Sequence, residues 1–152
     1  MEIFKPNEST DIEYDVVSSM KGERGEVPNF ISKKLGNQYI NLSNLSGEEN
    51  AKLFQSGKIV FQKARFNELT RRIFEGMATK KLVITDRLPD SKRLDLFFEE
   101  GKEFILYEGK YEALRKIKYY LKNEREREEI AFNGYEKVKK YYTTKNIVNY
   151  IL

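Results

Sequence analysis

Apolar residues in this chain fall into short compact blocks separated by stretches of helical spacing. Tyr14–Ser19 (YDVVSS), Gln38–Leu42 (QYINL), Lys58–Gln62 (KIVFQ), Leu82–Asp86 (LVITD) and Phe104–Tyr107 (FILY) are brief and rich in β-branched and aromatic residues. Each predicts a strand. Between them, Pro28 opens a helical stretch carrying Phe30, Ile31 and Leu35, which Gly36 closes. Ser46 to Ser56 reads as a second helix, with a capping-box start at Ser46-Gly47-Glu48-Glu49 and a stop at Gly57. Phe66–Ala78 is predicted as a third and Ser91–Glu99 as a short fourth.

From Lys110 onward the pattern is helical throughout. Leu114, Ile117 and Leu121 lie on one stripe, and Asn123 with Glu126 marks a new helix start. Ala131, Gly134, Val138 and Tyr141 follow at helical spacing, and Ile147, Val148 and Ile151 suit a last turn or two. The charge-rich Asn123–Glu129 (NEREREE) reads as the solvated first turns of that helix. Apolar strands alternating with helices predict an α/β fold: a parallel sheet of about five strands, helices on both faces, and C-terminal helices. Residues 1–11 read as an extension or linker, and residues 12–152 as the domain.

Composition narrows the chemistry. At 152 residues, 39% hydrophobic, with ten Phe and ten Tyr, the chain is long and apolar enough to bury one real core. No apolar run reaches the roughly 20 residues that span a bilayer, and the start carries no secretory pattern, so a cytoplasmic location is the expectation. Zero Cys and zero His remove disulfides, thiolate catalysis and the commonest metal ligand and general base. No metal site and no cofactor are expected. Carboxylates, Lys, Tyr, Ser/Thr and electrostatic stabilisation remain. The net charge of +4 suits an anionic ligand. Nucleic acid is not an expected partner, because acidic residues interrupt the basic stretch Lys63–Arg93 and no aromatic-plus-basic platform forms.

Ligands of such sheets sit beyond the carboxyl ends of the strands, with anions at helix N-termini. Gly22-Glu23-Arg24-Gly25 follows the first strand, and Gly22 and Arg24 are candidates to approach a phosphate. An ordinary strand-to-helix turn would have the same composition. Lys63 and Arg65 follow the third strand. At about 100° per residue, Glu68, Arg71, Arg72 and Glu75 share one helix face, and Phe66, Leu69, Ile73 and Met77 the other. The charged face fits an anion site, or a row of surface ion pairs worth a few tenths of a kcal/mol each.

The stretch "FQKARFNELTRRIFEGMATKKLVITD" (Phe61–Asp86) resembles the donor-binding segment of nucleotide-sugar-dependent glycosyltransferases with two Rossmann-like domains, the GT-B architecture of group 1. "FEGMA" at Phe74–Ala78 followed by a strand is similar to that family's "-EAMA-G-PVV-". "NLSNLSGEENAKLFQSGKIVF" is similar to the loop, helix and strand before it, and "GKEFILYEGKYEALRKIKYYLKNEREREEIAFNGYEKV" to the family's tail.

The resemblance implies a Rossmann-like, C-terminal, donor-binding half for residues 12 to 152. It implies that Glu75 holds ribose hydroxyls as the second glutamate of an E-x7-E pattern. The first would fall at Asn67, with Glu68 adjacent, a departure from the strict pattern at the sugar-binding positions. Arg24, Arg65 and Arg72 would take the diphosphate, while Asn44 and Leu45 lie in the nucleobase loop. The implied partners are a nucleotide-diphosphate sugar and an N-terminal Rossmann-like domain, in the same chain or a partner subunit. That missing half would carry the acceptor site and any peripheral membrane contact. No catalytic residue is assigned here. A non-catalytic nucleotide-sugar-binding module, or a nucleic-acid or protein interaction domain, are the alternatives.

Overall fold

The computed structural model of the chain describes residues 3–6, 11–21, 25–64, 70–87 and 98–141. Strands β1 (Tyr14–Ser18), β2 (Tyr39–Asn41), β3 (Gly57–Gln62), β4 (Leu82–Asp86) and β5 (Ile105–Tyr107) form one sheet. Their order is β2-β1-β3-β4-β5, and every pairing is parallel. The described helices are α1 (Glu26–Leu35), α2 (Gly47–Gln55), α3 (Arg71–Ala78), α4 (Gly109–Lys122) and α5 (Glu124–Tyr141), with a 3-10 turn at Gly36–Gln38.

Strand alternation sorts the core into two layers, because successive side chains point to opposite faces. Val16, Ile59, Leu82, Ile84 and Ile105 face α1 and α4 and pack with Ile31, Ala113 and Ile117. Val17, Val60, Val83 and Leu106 face the other way, against Leu53 and Phe54 of α2 and Phe74 and Met77 of α3. The register aligns these sets, with Val16 opposite Ile59, Ile59 opposite Leu82, and Ile84 opposite Ile105. Helix α5 passes an end of the sheet and serves both layers, giving Ile130 and Ala131 to one and Val138 to the other. Gly134 permits that passage: a Cβ there would lie 2.6 Å from the Glu103 carbonyl oxygen. Gly76 does the same for α3, where a Cβ would meet Val83 Cγ2 at 2.9 Å.

Phe4 is buried against Phe54, so the segment before β1 contributes to the core. No described helix is long and apolar enough to cross a membrane.

Several predicted boundaries move. Helix α3 begins at Arg71, five residues later than the pattern suggests, because the Thr70 side chain accepts a hydrogen bond from Arg72 N at 2.9 Å and caps it. The predicted start at 66–69 lies outside the described residues, as do 91–97 of the short fourth helix and Ile147, Val148 and Ile151. Phe98 and Glu99 are described and are not helical. Gly57 does not merely stop α2, since it begins β3. Helix α5 starts just after Asn123 as expected, but the Asn123 amide donates back to Tyr119 O at the end of α4. Arg127 is no solvated residue. It is buried and donates to Tyr120 O at 2.9 Å, satisfying a carbonyl at the α4 C-terminus.

Candidate functional site

The chain leaves β1 toward β2 on one side and returns to β3 on the other. The carboxyl ends of β1 and β3 therefore flank the point where strand order reverses, the usual place for a ligand crevice in such sheets. Side chains lock the backbone there. Ser18 Oγ donates to Phe61 O at 2.7 Å, and Tyr39 Oη donates to Ser18 Oγ at 2.9 Å, tying β2, β1 and β3 together. Asn41 Oδ1 accepts from Met20 N at 2.9 Å and continues the β1–β2 pairing past the strand. Tyr107 stacks on Phe61 with ring centroids 5.2 Å apart and donates to Gln62 O at 3.0 Å. Burial holds both phenols in their protonated form. It pushes Tyr39 up to about 12, against the opposing effect of its Ser18 bond. Tyr107 is raised further by burial and then by the charge of Asp86.

Thr85-Asp86 proves to be a strand end with a clamping role. Asp86 Oδ1 accepts from Ala64 N at 2.8 Å, and Oδ2 pairs with Lys63 Nζ at 3.2 Å. The carboxylate thus ties the end of β4 to the loop after β3. Lys63, read from sequence as one more cation for an anion, is paired with Asp86 instead.

The first turns of α3 rise on the α2 side of the crevice. Arg72 Nη1 meets Glu75 Oε2 at 2.8 Å, with 34% of the arginine side chain and 9% of the glutamate side chain exposed. Sequence periodicity puts Glu75 on a charged outer stripe, but Glu75 is buried. The reason is packing: α5, β3 and β4 lie against α3, and everything from Ile73 to Ala78 is buried. A surface ion-pair row does not describe this pair.

Two further polar groups join it, and the pattern reading missed both. Asn50 of α2 is 1% exposed and Ser19, just past β1, is 9% exposed. With the Asn50 oxygen turned toward the guanidinium, it accepts from Arg72 Nη1 at 3.0 Å and Nη2 at 3.1 Å, while the amide nitrogen donates to Ser19 Oγ. The result is a chain Ser19–Asn50–Arg72–Glu75 running from the end of β1 through α2 to α3. The available signal was Asn50 itself, a polar residue flanking the Ala51, Leu53 and Phe54 core positions of α2.

Of the residues nominated from sequence, the structure brings Arg72 and Glu75 together. Asn44 and Leu45 lie in the loop between β2 and α2, after the carboxyl end of β2. Asn44 is exposed with φ of 59°, a left-handed geometry that asparagine tolerates, and Leu45 packs partly on the core. Gly22, Arg24, Arg65, Asn67 and Glu68 lie outside the described residues. No group of three or more acidic residues among the described ones is placed to hold a metal ion. An open cleft of about 650 Å³ borders Lys80 and residues Arg125, Glu128, Glu129, Ala131 and Phe132 of α5. Lys80 precedes β4, so the cleft belongs to the opposite end of the sheet and takes no part in this arrangement.

Comparison with known proteins supports the same frame. A family described as glycosyl transferase-like matches residues 8–152. The C-terminal domain of a glycosyl transferase group 1 family protein (LpcC) from Francisella tularensis superposes with a TM-score of 0.74 at 15% identity, covering 93% of this chain and 97% of that one. Sucrose-phosphate synthase from Thermosynechococcus elongatus gives 0.74 at 11% identity, over 97% of this chain and 48% of its own. Anabaena Alr3699/HepE, solved in complex with UDP-glucose, gives 0.73 at 13% identity, over 98% and 53%. The chain therefore spans about half the length of the last two. No curated protein sequence gives a significant match. These structures share the fold, and the family match over nearly the whole chain settles its kinship: the protein belongs to the glycosyl transferase-like family.

Proposed function

We propose that this chain is the donor-binding domain of a glycosyltransferase. It would hold a nucleotide-diphosphate sugar while the sugar passes to a glycan, lipid or protein acceptor. The observation that carries the reading is the Arg72–Glu75 pair at the start of α3: a part-exposed guanidinium beside a buried carboxylate, on the α2 side of the crevice. Arg72, with Gly22, Arg24 and Arg65 from the loops after β1 and β3, takes the diphosphate. Glu75 has one oxygen on Arg72, and its other oxygen, which no described residue holds, takes a ribose hydroxyl. Asn67 and Glu68 belong to the sugar, and Asn44 and Leu45 to the nucleobase.

In the transfer step the bond between the anomeric carbon and the diphosphate oxygen breaks, and a bond to the acceptor oxygen forms. The departing diphosphate gains negative charge. Fixed cations and a helix N-terminus stabilise that charge without reorganising. The acceptor, and a base for its proton, come from a facing Rossmann-like domain in the same chain or in a partner. Closure between the two excludes water and aligns the reacting groups, which supplies a large share of such rate enhancements. The reading extends to a cytoplasmic, metal-independent enzyme of polysaccharide biosynthesis, any membrane contact being made through that facing domain.

The test is titration of the chain with UDP-, GDP- and ADP-sugars, followed by transfer assays on the chain alone and on the two-domain assembly. Expected are weak binding of one nucleotide sugar and no transfer by the chain alone, with at most slow hydrolysis. Absence of binding to all three, or robust turnover by the chain alone, refutes the reading.

A further inference from the structure

We propose that Asn50 is a positioning residue for the anion site: it aims the Arg72 guanidinium, and Ser19 sets the amide that does so. The proposal rests on the reading of Arg72 as a ligand of the donor diphosphate.

Asn50 sits one residue before the Ala51, Leu53 and Phe54 core positions of α2, and only 1% of its surface is exposed. A buried amide is unfavourable unless its groups are bonded. Here each side of it has one suitable partner. The guanidinium carries only donors, so the amide oxygen must face it, and the NH₂ must then face Ser19 Oγ, a hydroxyl able to accept. The reverse orientation would set donors against donors with almost no water to relieve them. In the favoured orientation the oxygen takes one N–H from each of Nη1 and Nη2, at 3.0 and 3.1 Å. Glu75 takes the second N–H of Nη1 at 2.8 Å. Of the guanidinium's five N–H donors three are spent on described residues, and the other two, which no described residue takes, are proposed for the ligand, with the fork fixed in plane and rotation.

The choice of asparagine fits this role. Glu75 already offsets the positive charge of Arg72. An aspartate at position 50 would make the cluster net negative and repel a phosphate. The neutral amide orients the guanidinium without adding negative charge beside the anion, and leaves the remaining N–H groups to the phosphate. Because Ser19 is the residue after β1, the end of β1 and the first turn of α3 are tied together across α2. Fixing a binding group before the ligand arrives removes an ordering cost from binding.

The experiment is a double-mutant cycle on the full 152-residue chain. Wild type, Asn50→Ala, Arg72→Ala and the double variant are titrated with UDP, GDP and ADP and with the matching nucleosides. For the diphosphate that wild type binds best, Asn50→Ala is expected to weaken binding about tenfold, or about 1.4 kcal/mol. It should leave the nucleoside unchanged and add nothing once Arg72 is alanine. An equal loss in the Arg72→Ala background, a loss on the nucleoside, or no loss at all overturns the proposal. If Arg72→Ala binds the diphosphate as wild type does, or wild type binds none, the donor reading has failed and this proposal falls with it.

Ser19→Ala leaves the α2 core untouched and should give a smaller loss in the same direction, which covers the case that Asn50→Ala does not fold. Rotation of the Arg72 guanidinium, read by ¹⁵N NMR, needs no ligand. It should be slow in wild type and fast in either variant, and equal rates in wild type and Ser19→Ala would also overturn the proposal.

Discussion

Replacing Glu75 by glutamine keeps shape and volume while removing one charge from the Arg72 pair. The bond is charge-assisted and 2.8 Å long, and the glutamate side chain is only 9% exposed. A hydrogen bond to a charged group contributes about 1.5–3 kcal/mol. Because 34% of the Arg72 side chain meets solvent, water recovers part of that loss. The expected destabilisation is about 1–2 kcal/mol, which for a chain of this size lowers Tm by roughly 2–8 °C. Urea unfolding followed by far-UV circular dichroism measures it directly, with an unchanged denaturant dependence showing that two-state behaviour persists. An exposed i,i+3 pair would instead be worth under about 0.5 kcal/mol and would vanish in 1 M salt, where the screening length is about 3 Å. A loss below that figure, or one abolished by salt, would refute the placement of Glu75 in the interior. The same variant should bind a ribonucleoside diphosphate more weakly, and should affect a 2′-deoxy analogue less. Equal losses on both would remove Glu75 from the ribose.

Gly134→Ala should destabilise the chain by about 1–3 kcal/mol through overpacking, outweighing the ~1 kcal/mol gained in helix propensity, because the new Cβ meets a backbone oxygen at 2.6 Å; a stabilised variant in urea would show that α5 is not held there. Tyr39 keeps its proton to about 12 when folded and to about 10 when unfolded. The unfolded chain therefore loses that proton first, and the Tyr39 contribution is intact below pH 10 and declines as pH rises toward 12, by up to about 1.4 kcal/mol per unit. Urea midpoints between pH 9 and 11 should fall less steeply in Tyr39→Phe, and identical slopes would contradict this. With zero His and Cys in the chain, binding of a nucleoside diphosphate should be unchanged by EDTA in calorimetry. A strict need for a divalent cation would count against the Arg-based site.

The layered core was largely legible in the sequence. Strand blocks such as KIVFQ and LVITD are buried on both faces and too apolar for anything but a covered parallel sheet. The Ser46–Glu49 capping box was equally plain, since both of its bonds are local, at 3.0 and 3.2 Å. The start of α3 was not legible, because a threonine cap competes with an apolar run that extends upstream of it. The site was half legible: periodicity places Arg72 and Glu75 on one face but cannot tell which neighbour covers that face.

What the sequence determined by itself was therefore what depends on local spacing: five strands, most of the helices between and after them, the capping box of α2, and a pair of opposite charges one turn apart. Only the tertiary structure decided that Glu75 is interior, that Lys63 is committed to Asp86 across 3.2 Å, that Arg127 closes the end of α4, and that Asn50 and Ser19 meet at Arg72. These contacts join residues 7 to 31 positions apart in the chain. No periodicity encodes them. The Ser19–Asn50–Arg72 contacts exist because α2 and α3 share one face of the sheet beside the end of β1, the Lys63–Asp86 pair because β3 and β4 are neighbours, and the Arg127 bond because α5 turns back along α4. Burial there makes every polar group find a partner, and that requirement acts on the folded neighbourhood rather than on the order of residues.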